Sequence, residues 1–185
     1  MGDFSFPGLN RDALPEQMRS AWDKSMAVRG EARFVAAAGH APELFNWYSD
    51  AFYQNLFFEG RVDRRYKELG RLRLSTLHGC RSCNKGNRIS AQEGGLTPAQ
   101  IQYIENWDCE HFDEAEAAVL KLAEHIAMTN PDGRLTEAHY AELKAYFDDA
   151  QIFELGMVFA ILAGMAKFLF VYDIAEKEDY CAFSS

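Results

Sequence analysis

Positive charge is scarce in this chain. Lys and Arg number 19 against 28 Asp and Glu, giving −9 at neutral pH over 185 residues. That is the wrong sign for gripping a phosphate backbone, so nucleic acid is excluded as an expected partner. Long uncharged runs are missing too. The most apolar stretch, Leu155 to Ala166, is 12 residues long and lies between Glu154 and Lys167, where a bilayer span needs ~20. The first residues, Met1 to Pro7, carry neither a basic nor an apolar leader region, and Phe6 stands where a myristoylation signal needs Ser or Thr. No membrane is therefore expected, and the cytoplasm is the expected location.

Cysteine is sparse, with four residues at 80, 83, 109 and 181. Four in a chain of this length do not make a disulfide scaffold. Cys109 and His111 would complete a zinc set only in the order C-x2-C-x25-C-x-H, which is no recurring metal spacing. Haem attachment needs His at 84, where Asn84 stands. No H-E-x-x-H, E-x-x-H, P-loop, G-x-G-x-x-G or G-x-S-x-G pattern occurs. Neither a metal nor another cofactor is expected.

What the chain has is helical periodicity throughout, which predicts one all-α domain over residues 16–185 behind an irregular segment 1–15. A first helix is expected from Glu16 to Ala38, broken near Gly30. Pro42 opens an aromatic stretch with Leu44, Phe45, Trp47, Tyr48, Phe52, Tyr53, Leu56 and Phe57 at 3–4 spacing, which reads as core or interface. Further helices are expected from Arg64 to Leu77, from near Cys83 to Glu93, from Thr97-Pro98 to Asn106, from Asp113 to Met128 and from Thr136 to Phe147. The last helix, 150–176, is apolar on nearly every side and carries small residues at Gly156, Ala160 and Gly164. It is expected to lie buried against a second subunit.

The close pair Cys80-Arg81-Ser82-Cys83 is the strongest chemical signal, because C-x-x-C in a reducing compartment points to redox or metal chemistry. It sits in a basic island. Residues 61–88 hold nine Arg and Lys but only Asp63 and Glu68, a net +7 against −16 elsewhere. Cations and a helix N-terminus both stabilise thiolates. Equally, these arginines can pair with distant carboxylates. Glu68 reads either as a surface carboxylate paired with Arg71 or Lys67, or as a general base near the thiols. His78, two residues before Cys80, is the nearest imidazole, and a helix-end His bonding the last carbonyls is the alternative reading.

The run Arg65-Tyr66-Lys67-Glu68-Leu69-Gly70-Arg71-Leu72-Arg73-Leu74-Ser75, followed by Gly79-Cys80-Arg81-Ser82-Cys83, resembles the carboxymuconolactone decarboxylase superfamily. More narrowly it is similar to the alkyl hydroperoxide reductase D-like (AhpD-like), peroxidase-related branch, in which a Glu lies twelve residues before the first Cys. The resemblance is specific over residues 65–96. It implies an all-helical homo-oligomer, trimer or hexamer, that reduces peroxides through a disulfide recycled by an external dithiol. By position Cys83 matches the attacking thiol, Cys80 its resolving partner and Glu68 the relay carboxylate. The family's relay His falls on Asn87, and Ser82 stands where well-known members have His; Asn accepts no proton near neutral pH. A second reading therefore stays open: a non-redox lyase, isomerase or decarboxylase acting on a small carboxylate or lactone. There Glu68 or His78 would move protons, and Arg71, Arg73 or Arg81 would bind the anion.

Overall fold

The computed structural model describes residues 5–107 and 110–183, and Cys109 lies outside them. Among the described residues there are nine α-helices and no strand: α1 (Glu16–Arg29), α2 (Arg33–Ala38), α3 (Pro42–Trp47), α4 (Arg64–His78), α5 (Arg81–Glu93), α6 (Pro98–Gln102), α7 (Glu114–Ile126), α8 (Glu137–Lys144) and α9 (Asp149–Val171). The starts follow local chemistry. Asp63, Thr97, Asp113, Thr136 and Asp148 each accept a backbone N–H of the first turn, and Thr97, Asp113 and Asp148 complete reciprocal capping boxes with Gln100, Glu116 and Gln151. The break expected near Gly30 within residues 16–38 is there: α1 and α2 are separate helices, split where Gly30 takes a left-handed φ of 78°.

The aromatic stretch is wound differently from the expected α-helix. From Tyr48 to Phe58 it forms a π-helix, continuous with α3. Its wider turn brings residues four and five apart into one row, so Tyr48, Phe52, Tyr53 and Phe57 stack edge and face along a single side. Long π-helices are rare and concentrate at functional sites.

Within this single chain the helix buried on all sides is α4. It packs against α5, α7 and α9, and from Lys67 to Leu72 every residue is buried. Gly70 is the contact point with α9: a Cβ there would fall 2.0 Å from the Phe159 ring. One core joins Phe52, Phe57, Leu74, Val119, Leu122, Leu155, Val158 and Phe159, and a second, smaller one joins Leu69, Leu72, Ala91, Leu96, Ile104 and Leu120.

The last helix stops at Val171, short of the expected 176, and is buried on one side only. By length and composition α9 would suffice to cross a membrane. Its inner face, Ile152, Leu155, Val158, Phe159, Ala163 and Ala166, packs within this chain. Phe153, Met157 and Val171 are exposed, and at Gly156 and Gly164 an added Cβ would meet nothing. After α9 the chain turns back through Asp173, at φ 51°, into an irregular tail over the start of α5.

The charge on the buried helix is internally balanced. Lys67, with no exposure, places Nζ 2.8 Å from Glu154 Oε1 and donates to Leu56 O at 2.7 Å. Glu154 also accepts the N–H groups of Arg61 and Val62. Burial works against its charge, but Lys67 and those N–H groups outweigh it and hold the carboxyl below its ordinary range. Replacing Lys67 by Met strands that carboxylate in the core. The expected loss is about 3–5 kcal/mol of unfolding free energy, read as a lower urea midpoint at unchanged slope.

Candidate active site at the Cys80–Cys83 pair

Helix α5 begins at Arg81, two residues before the expected start near Cys83. Its cap is Cys80, whose sulfur accepts the Cys83 N–H at 3.3 Å. Cys80 and Cys83 are joined as a disulfide. Cys80 has no exposure, whereas Cys83 is half-buried, so of the two residues only Cys83 reaches the surface.

The tail seals the first cysteine. Cys80 bridges Lys177 in antiparallel fashion, Glu178 N–H donates to Gly79 O at 2.8 Å, and Glu176 N–H donates to the Ser82 hydroxyl at 2.9 Å. Arg81 donates to Glu178 and Asp179, so its guanidinium is turned to the tail rather than to the thiols. The expected basic island is neutralised in the same way. Arg64, Arg65, Lys67, Arg71, Arg73, Arg81 and Lys85 each face a carboxylate, most of them from distant parts of the chain. The cysteine pair therefore gains little from surrounding positive charge.

Glu68 is fully buried and not a surface carboxylate. Its Oε1 accepts from Arg64 Nε at 3.0 Å and from the Ser90 hydroxyl at 2.8 Å, and its Oε2 accepts from Arg71. Gly94 admits it, since a Cβ there would lie 2.7 Å from Glu68 Cγ. Ser90 lies seven residues beyond Cys83, about 10 Å along the axis of α5. The carboxylate and the thiol are thus two helical turns apart, not in contact. Asn87, buried, is on the same face of α5 between them.

Arg71 extends the buried network. Its guanidinium lies over the Phe57 ring at 4.6 Å and near Tyr53 at 5.7 Å, and its Nε is buried without a partner among the described residues. Burial works against its charge, yet Tyr53 and Glu68 more than offset this and hold it above its ordinary value. Burial pushes the neighbouring Tyr48 hydroxyl well above its ordinary range, Tyr53 adding to the rise while Arg71 and Arg29 pull the other way. Arg29, from the end of α1, covers Gly86, where a Cβ would come 2.6 Å from its Nη2. Tyr48, Tyr53, Ser90, Arg64 and Arg29 were not singled out for chemistry from the sequence. They carry no motif; the π-helical row and the antiparallel pairing of α4 with α5 bring Tyr48, Tyr53, Arg64 and Ser90 to Glu68 and Arg71, and α1 brings Arg29 over α5.

His78 is placed on the other side of the disulfide. Its Nε2 accepts the Met128 N–H at 3.1 Å, and its Nδ1 is buried with no partner among the described residues. The neutral ring thus carries its proton on Nδ1 and has no free lone pair. Among the described residues no cluster of three His, Cys, Asp or Glu is arranged to hold a metal ion.

Residues 42–125 match the carboxymuconolactone decarboxylase family. That match spans 84 of the 185 residues, and the chain as a whole has the AhpD-like fold. An uncharacterised Bacillus subtilis protein, YdfG, is 27% identical over 101 residues, 54% of this chain and 68% of the relative. Three solved structures share the fold at low identity. The alkylhydroperoxidase AhpD core of a peroxidase-related protein from Ralstonia eutropha has a TM-score of 0.72 at 16% identity, covering 97% and 95% of the two chains. A peroxidase-related protein from Silicibacter sp. gives 0.73 at 18% over the whole of both chains. The debrominase Bmp8 gives 0.75 at 16%, covering 97% and 95%. The fold thus hosts enzymes of different kinds.

Burial pushes His78 down to about 4 from the usual 6.5. Between those values the unfolded chain binds a proton that the folded chain refuses, so stability falls as pH drops through that window. His139 is lowered in the same sense, chiefly by burial. His78 alone accounts for about 3 kcal/mol when the window is fully crossed. Urea midpoints measured from pH 7 to pH 4.5 should fall, and His78→Gln, which keeps an acceptor for Met128, should flatten that slope.

Proposed function

We propose that the protein is a thiol-disulfide oxidoreductase of the alkyl hydroperoxidase type. The observation that carries this reading is the asymmetric Cys80–Cys83 disulfide at the head of α5, one residue sealed and the other half-buried. In the reduced state the Cys83 thiolate attacks the O–O bond of a peroxide. The alcohol or water leaves, and Cys83 becomes a sulfenic acid. The Cys80 thiol, held against the Cys83 N–H, condenses with it, releasing water and forming the disulfide. An external dithiol then restores both thiols by exchange at the outward sulfur of Cys83.

Glu68 and Asn87 act in this reading as proton-handling and positioning groups. Glu68 fixes Arg71 and Ser90, and Asn87 orients the peroxide on the one face of α5 that joins Ser90 to Cys83. His78, with no free lone pair, is left out of the relay, and Arg81 is left out of substrate binding. Arg71, buried beneath Tyr53 and Phe57, remains the candidate for an acidic or polar substrate group. The non-redox alternative draws on one observation of its own: the most elaborately bonded ionisable group here is Glu68, not a thiol.

Peroxide consumption with dithiothreitol as reductant separates the two. Cys83→Ser should lose at least 100-fold, and Glu68→Gln should lose about 10–100-fold. A wild-type enzyme that consumes no peroxide, or a Cys83→Ser enzyme that consumes it at the full rate, overturns the redox reading.

We further infer that the exposed strip of α9 is a self-association face, its small residues at 156, 160 and 164 admitting a second copy closely. Light scattering should report a multiple of 21.0 kDa, and Phe153→Asp with Met157→Asp should lower it. A monomeric wild-type protein overturns this.

A further inference from the structure

The tail that covers Cys80 carries a cysteine of its own. Cys181 is buried, and its Sγ donates to His78 O at 3.0 Å. It shares one apolar cluster with Cys80 and Phe170, against which Cys83 and Met128 also pack. Its backbone is held by the Cys181 N–H to Glu178 O bond at 3.0 Å, and Glu178 is in turn tied to Gly79. Gly79, the residue before Cys80, has a left-handed φ of 66°, and a Cβ on it would fall 2.7 Å from Cys181 Cα and 2.8 Å from its Cβ. The Cα atoms of Cys80 and Cys181 therefore lie within about 8 Å, at the edge of the ~7 Å that a disulfide spans. Both hydrogen bonds that set this distance belong to an irregular tail, free of helix or sheet on its outer side.

From this cluster we propose that Cys181 is a third redox thiol, which exchanges with the Cys80–Cys83 disulfide to form a Cys80–Cys181 disulfide and free Cys83. The inference rests on the reading of Cys80–Cys83 as a redox pair. The Cys181 thiolate attacks Cys80 Sγ, the Cys80–Cys83 bond breaks, and Cys83 leaves as the thiolate and takes up the proton that Cys181 gave to solvent. One disulfide is lost and one is formed, so no oxidant or reductant is consumed. The sealed Cys80 sulfur is out of reach of an external thiol, whereas Cys181 already packs inside the same cluster. The leaving Cys83 is in the first turn of α5, where the helix N-terminus favours negative charge. The outcome is an oxidised protein whose outward cysteine is a thiol again, with the oxidising equivalent stored beneath the tail.

The test uses the full chain with Cys109→Ser, leaving three cysteines. The protein is oxidised with diamide, freed of reagent, incubated natively with iodoacetamide, and digested with trypsin without reduction; cleavage after Arg81 separates Cys80 from Cys83. Mass spectrometry should find alkylated Cys83 together with a Cys80–Cys181 linked peptide. Both should grow over minutes to hours, the pace of uncatalysed disulfide rearrangement. Adding Cys181→Ser should abolish the alkylation of Cys83. Alkylation confined to Cys181, or a Cys80–Cys83 link unchanged while Cys181 becomes alkylated only after unfolding, overturns the inference and leaves the redox pair standing. Oxidised protein with all three thiols alkylatable overturns the redox pair itself.

Discussion

A helix with no exposed side can carry charge only if each charged group brings its own counter-ion, and α4 carries Lys67, Glu68 and Arg71 into a dry interior. Lys67 meets Glu154 of α9, while Glu68 stands between Arg64 and Arg71 and takes the Ser90 hydroxyl from α5. These pairs do more than cancel charge. They set the rotation of α4 against both neighbours, because a slip of one residue would leave a full charge buried and unpaired at a cost of several kcal/mol. The position of α5, and with it the cysteines at its head, follows from that lock.

Two kinds of construction thus meet at the candidate site, one charged and one apolar. On one side of α5, Glu68, Arg71, Tyr48 and Tyr53 form a buried charged and aromatic wall. On the other, Cys80, Cys181, His78 and Phe183 form an apolar chamber beneath the tail. Cys83 sits at the seam. The asymmetry between the two cysteines follows from this: one sulfur belongs to the chamber, the other to the open side.

Much of this was legible in the residues where the chemistry is local. The all-α class, the helix starts at Asp63, Thr97, Asp113, Thr136 and Asp148, the break at Gly30 and the stop at Gly79 all follow from caps and left-handed glycines within a few positions. The spacing from Glu68 to Cys80 and Cys83 located the candidate site as well. What was not legible depends on remote partners. Arg65 and Arg73 find Glu116 and Glu124 51 residues away, and Arg81 finds Glu178 at 97, so the apparent basic island dissolved only in three dimensions. The π-winding was hidden because the same aromatics also hold four-residue spacings, Tyr48 to Phe52 and Tyr53 to Phe57, that an α-helix satisfies. The end of α9 was overrun because residues after 171 suit a helix in composition, yet their backbone groups are claimed by Gly79 and Ser82.

The tail's attachment also has a consequence for how the chain is made. Residues 78–82 are sealed by partners 94 to 103 positions later, Glu176, Glu178 and Cys181. On a ribosome adding roughly 5–20 residues per second, some 5–20 seconds separate the synthesis of the cysteine pair from that of its cover. During that interval α4 and α5 can pair, but both sulfurs of the pair face the cell. The nascent chain therefore passes through a stage in which Cys80, later the most deeply buried cysteine among the described residues, is as open to oxidants and to other thiols as Cys83.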